Sequence, residues 1–116
     1  MNSIPMLDSD NVYQQIFNLT HEAIFIVENG TGNIVATNRT ARLVYGYSEE
    51  EFLSMQSSCL SAEPEKSIEQ GHKITDAKLA RVPLRQHKKK TGEVFPVEVT
   101  AKSIFYNAIP AHILMI

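Results

Sequence analysis

The chain has 116 residues, enough for one domain, and Leu, Ile, Val and Phe supply 32 of them, above the level at which chains stay disordered. A net charge of −2 excludes a strongly basic nucleic-acid footprint, and the single Cys59 excludes an internal disulfide framework. The longest apolar run, Ala23 to Val27, is far short of the ~20 residues that span a bilayer, and Met1 to Pro5 has no signal-peptide pattern.

These features describe a small soluble domain, most simply cytoplasmic. Asn-x-Thr triplets at Asn18, Asn29 and Asn38 read as chance, because nothing in the sequence directs export. No Cys/His spacing matches a structural zinc site.

Residues 1–8 carry no period and read as a flexible lead-in. Ser9 or Asp10 can cap a helix to about Leu19, within a flanking segment 9–20. Val12, Ile16 and Leu19 form one apolar stripe of that helix, and Tyr13 and Phe17 form a second beside it. Ala23 to Val27 and Ile34 to Thr37, around Asn29-Gly30-Thr31-Gly32-Asn33, predict an antiparallel hairpin. Asn38 is a good N-cap for a helix over Arg39 to Tyr45, with Gly46 as its C′ residue. Ser48-Glu49-Glu50-Glu51 is a capping box opening a second short helix toward Met55.

Gln56 to Glu65 is polar and reads as a loop. From Lys66 to Leu79, the positions Ile68, His72, Thr75 and Leu79 make a helical stripe that Gly71 weakens. The last third predicts strands over Val82 to Lys90, Glu93 to Ile104 and Ile109 to Ile116, with turns at Thr91-Gly92 and Tyr106-Asn107-Ala108. Pro83, Pro96 and Pro110 each remove a ladder donor and should sit at edges, strand starts or bulges. The order predicts an α+β domain with an antiparallel sheet.

Four segments in order give the chain a resemblance to the PAS sensory-domain family, over Asn11 to Ile116. They are Glu22–Val27, Gly32–Asn38, Gly46–Phe52 and, most diagnostic, Lys89–Val99. The resemblance implies a five-stranded antiparallel sheet in order 2-1-5-4-3, with short helices on one face around a small apolar pocket. It implies a core over 21–116 that acts as a non-catalytic signal-input module of a larger protein. A chain ending mid-strand at Ile113-Leu114-Met115-Ile116 reads as cut from that protein before its effector, with Met1 as the natural start. The effector implied is a diguanylate cyclase or a histidine kinase, the other partners being a second copy of the chain and a small apolar ligand.

Converging strands and helix faces place Ile24, Ile26, Leu43, Val44, Phe52, Ile68, His72, Val97 and Val99 around the expected pocket. The apolar excess on the first helix assigns Val12, Tyr13, Ile16 and Phe17 to a homodimer interface. The flavin-binding subclass implied by the resemblance does not fit. Cys59 is displaced by two residues from the photochemical position, and His87 and Val97 stand where flavin-holding asparagines are expected. His72 falls where haem-binding members place an iron ligand, but the stretch to Gly92 is short for them, so no metal or cofactor is assigned. A haem sensor through His72 and a pure interaction module remain the alternatives.

His87-Lys88-Lys89-Lys90 reads as solvated charge at a hairpin tip, and Glu49-Glu50-Glu51 as capping. Arg85 and Glu98 would face each other across a strict two-residue turn, and the family register shifts this by one.

Overall fold

The computed structural model describes residues 9–63 and 79–116, and the lead-in 1–8 and most of the helix expected over Lys66–Leu79 lie outside them. Helix α1 (Ser9–Leu19) is followed by β1 (Ile24–Glu28), β2 (Ile34–Thr37), α2 (Arg39–Tyr45) and α3 (Glu49–Leu53). A 3-10 turn, Ser57–Leu60, follows inside the segment expected to be loop. Strands β3 (Leu79–Lys88), β4 (Val94–Tyr106) and β5 (Ile109–Met115) complete one antiparallel sheet in the order β2-β1-β5-β4-β3. Leu79, expected at a helix end, opens β3 instead.

Local chemistry explains the short helices. The Asn38 side chain accepts from Ala41 N–H at the start of α2, and Gly46 ends the helix in the left-handed conformation at φ 86°. Ser48 and Glu51 form the expected capping box at α3. Neither helix is long enough to be stable alone, so both depend on packing. Tyr45 and Phe52 supply it by pointing at the sheet, each fully buried.

The sheet is buried on both faces. Ala23, Phe25, Val27, Ile34, Val97, Val99, Ala101 and Leu114 meet Ala41, Tyr45, Phe52 and Leu60 on the inner face. On the outer face Ile24, Ile26 and Ala111 pack with Phe17 of α1. Ile24 and Ile26 therefore lie away from the expected pocket. Residues Ile24 to Val27 are all buried, so the period-two pattern carries no information about which face is which. Leu43 and Val44 are also displaced: α2 turns Ala41 and Tyr45 inward and leaves Leu43 71% and Val44 37% exposed.

Irregularities fall where the residues dictate. Two residues of β3, Pro83 and Leu84, oppose Glu98 alone, so Pro83 sits in a bulge of a strand at the sheet edge. At the β3–β4 turn Lys89 faces Glu93 across Lys90, Thr91 and Gly92, and Gly92 takes φ 92°. That loop puts Arg85 opposite Val97, one residue from Glu98, as the shifted register requires.

Asn38 joins these parts. Its Oδ1 accepts from Ile24 N–H as well as Ala41 N–H, both at 2.9 Å, and its Nδ2 donates to Glu22 O at 2.8 Å. Asn38→Ala removes the cap and leaves the buried Ile24 N–H of β1 and the part-buried Glu22 carbonyl before it unpaired. We expect a loss of about 2–4 kcal/mol in urea unfolding, against near-neutral behaviour of Val44→Ala. A loss confined to cap size, below about 1 kcal/mol, would contradict the bridging role.

Candidate functional site

The inner face gathers the aromatic side chains. Phe25 meets Tyr45 edge-on at 5.2 Å between ring centroids and Phe52 at 5.4 Å. Phe95 reaches Tyr45 at 5.3 Å, and Tyr47 closes against Phe52. These edge-to-face contacts hold the rings in one layer between sheet and helices. Val97 and Val99 border that layer from β4.

Two buried histidines interrupt it. The Tyr45 hydroxyl lies 2.7 Å from His87 Nδ1, a contact across 42 positions of sequence. Burial pushes His87 down to about 4, with the Arg85 charge adding to the effect, so its imidazole is neutral at ordinary pH. Burial likewise raises the Tyr45 phenol, which keeps its proton. His112 points to the same face from β5, and its Nδ1 lies 2.8 Å from Asn29 Oδ1 in the β1–β2 turn. An amide oxygen only accepts, so the imidazole donates there. Burial lowers His112 as well.

Of the residues expected to line a pocket, the structure brings Phe52, Val97 and Val99 together on this face. Ile24 and Ile26 are on the opposite face, Leu43 and Val44 are exposed, and Ile68 and His72 lie outside the described residues. Cys59 is exposed on the 3-10 turn. The basic tip is largely matched by carboxylates: Lys89 Nζ is 3.4 Å from Glu93 and Lys90 Nζ is 2.8 Å from Glu51. Lys89 also sits over the Phe95 ring. Among the described residues no cluster of His, Cys, Asp and Glu could hold a metal ion.

On α1, Phe17 is buried against its own sheet, so it is a core residue of the single chain. Val12 at 37%, Tyr13 at 40% and Ile16 at 64% stay exposed. The helix is tied to α2 by Asn18 Oδ1, which accepts from Arg39 N–H, and by Thr40 Oγ1, which donates to Thr20 O. The Tyr45–His87 and Asn29–His112 pairs were not foreseeable from spacing. A tyrosine at the end of a two-turn helix and a histidine beside three lysines carry no local signal of burial.

A PAS domain family model matches residues 21–111. Comparison with curated protein sequences finds no match. Among solved structures, the chain is similar to a PAS domain from a two-component sensor histidine kinase, at 15% identity and TM-score 0.78, over 90% of each chain. It is similar to a domain of a sensory box sensor histidine kinase/response regulator from Geobacter sulfurreducens, at 21% identity and TM-score 0.76, over 90% of this chain and 91% of that one. A third similar structure is the PAS domain, in complex with ethanol, of a LuxR-family transcriptional regulator from Burkholderia thailandensis. That match has 14% identity and TM-score 0.72, over 90% of this chain and 95% of that one.

The buried imidazole makes stability depend on pH. The fold keeps His87 neutral to about pH 4, whereas an ordinary histidine takes up its proton near 6.5. The unfolded chain thus binds more protons between those values, and stability is full above about 6.5 and declines toward 4. His87 should account for about 3 kcal/mol of that decline, and His112 adds in the same direction. In urea unfolding at a series of pH values, His87→Gln should flatten the curve relative to wild type. Parallel curves for the two proteins would contradict this assignment.

Proposed function

The chain belongs to the PAS domain family, and from that premise we propose that it is the signal-input module of a larger signalling protein. Residues 21–116 form the sensing core and 9–20 the flanking helix. The domain performs no chemistry itself and passes a change in packing to an attached effector, a histidine kinase or a diguanylate cyclase. The likeness to PAS domains of sensor histidine kinases supports the first of these.

The observation that carries the reading is the inner layer, which is aromatic and aliphatic and in which the buried polar side chains among the described residues are paired within the fold. Such a surface favours a small, mostly apolar ligand over an ion or a phosphate. Phe52, Val97 and Val99 would form its wall. A similar domain with ethanol bound is consistent with a site for a small molecule. Native mass spectrometry of the purified domain should show added mass that disappears on denaturation. A native mass equal to the bare chain, unchanged by incubation with short-chain alcohols, would overturn the ligand reading. The protein should be colourless; a Soret band lost in His72→Ala would replace this reading with a haem sensor.

The partner of α1 is proposed to be a second copy of the chain. Phe17 anchors the helix to the sheet and stacks on Tyr13 at 5.4 Å, while Val12, Tyr13, Ile16 and Leu19 remain exposed along one helix. An exposed apolar strip of that kind marks an interface. Sedimentation equilibrium at tens of micromolar should give a dimer that Tyr13→Ser with Ile16→Ser dissociates, leaving the Phe17 anchor intact. A wild-type mass of one chain, or a dimer indifferent to both changes, would contradict it.

A further inference from the structure

The distal end of the β3–β4 hairpin is built differently from the rest of the sheet. Strand β5 pairs with Thr100–Tyr106 of β4, whereas the stretch Val94–Val97 is registered against Arg85–Lys88 of β3. A two-stranded ribbon is marginal in water without further support. At its base the ladder is broken by the bulge between Val82 and Arg85, where Pro83 has no N–H to give. Pro96, opposite Gln86, removes a second donor.

Support comes from the corner between α2 and α3, and most of it converges on Tyr45. Lys90 N–H donates to Tyr45 O at 2.9 Å, and His87 Nδ1 meets the Tyr45 hydroxyl at 2.7 Å. The turn passes directly over the end of α2, where a Cβ built on Gly46 would stand 3.7 Å from Lys90 Cβ. Glu51 receives Ser48 N–H with one carboxylate oxygen and the Lys90 ammonium with the other. On the strand edge, Ala62 N–H donates to Gln86 O at 2.8 Å and Ser61 bridges His87. The ribbon thus has a hinge at one end and a fastening at the other.

We propose that residues 85–97 form a hinged strap, pivoting at the Pro83–Leu84 bulge and fastened at Tyr45, whose release opens the aromatic layer from the hairpin side. Phe95 and His87 travel with the strap, so its release uncovers the Tyr45 ring that both of them meet. The role of the opening, as the entry for an apolar ligand, rests on the sensor reading given above. The opening itself does not. The bonds that cross from the strap to its neighbours, Lys90 N–H to Tyr45 O and Ala62 N–H to Gln86 O, break together on release, and the strap should open as one unit at a free energy below that of global unfolding.

Native-state hydrogen exchange by NMR tests this on the ligand-free domain. In Tyr45→Phe, which deletes only the hydroxyl, the strap amides, those of Lys90 and Ala62 whose bonds tie the strap to its neighbours, should exchange about tenfold faster and by a common factor. The amides of Ile116, Asn29 and Glu28, which close the β1, β2 and β5 side, should keep their wild-type rates. Lys90→Met, on the surface, should accelerate the same strap amides and no others, and it decides the matter if Tyr45→Phe does not fold. Unchanged strap amides, unequal factors among them, or equal acceleration on the β1 side would each overturn the strap. A bare native mass would remove the ligand while leaving the exchange pattern as stated, so the two readings fail separately.

Discussion

The placement of the inner helices rests on one buried amide. Asn38 is wholly inaccessible, and its side chain is shared between the start of α2, Ile24 N–H of β1 and the Glu22 carbonyl just before that strand. Its own N–H donates to Ile24 O, so four hydrogen bonds fix the angle at which the chain leaves the sheet. A helix as short as α2 has no independent stability, and its orientation is set by where it is tied. That orientation delivers Tyr45 to the sheet, Gly46 turns the chain, and Ser48 opens α3 so that Phe52 lands beside Phe25. The aromatic layer follows from this entry angle.

The two faces of the sheet do different work. The inner face is tightly closed by rings and carries the two histidine pairs, each satisfied within the fold. Among the described residues no buried side-chain polar atom lacks a partner. Among the described residues the outer face is covered by α1, which buries Phe17 there and leaves half-buried aliphatics such as Val35, Ile104 and Ile113 at its margin. One side is thus closed by rings packed against one another, and the other keeps apolar side chains at its margin.

Features governed by neighbouring residues were legible in the sequence. Caps at Asn38 and Ser48, the stop at Gly46 and the place of Pro83 at an edge or bulge follow from chemistry within a few residues, whereas the shifted hairpin register is what the resemblance implies. Resemblance to a family supplied the strand order, which no local pattern specifies. Burial on both faces defeated the rest. In β1 every position from Ile24 to Val27 is apolar and buried, so the pattern carries no parity, and Ile24 and Ile26 face α1 and not the expected pocket. In α2, the stripe of Leu43 and Val44 is more apolar than the Ala41–Tyr45 face that the Asn38 tether actually turns inward. The Tyr45–His87 pair depends on two distant elements meeting and left no trace in spacing.

The pairing of β1 with β5 has a mechanical side. Ile24 lies opposite Met115, and Ile116 N–H donates to Ala23 O, so the chain enters and leaves the sheet at one point. Antiparallel ladder bonds run across the strands. A pull applied between Ala23 and Ile116 therefore loads those bonds one after another, as a zipper opens from its end, and never as a set in shear. Separation of the ends therefore acts first on β1 and β5, the strands whose Phe25 and Leu114 floor the aromatic layer.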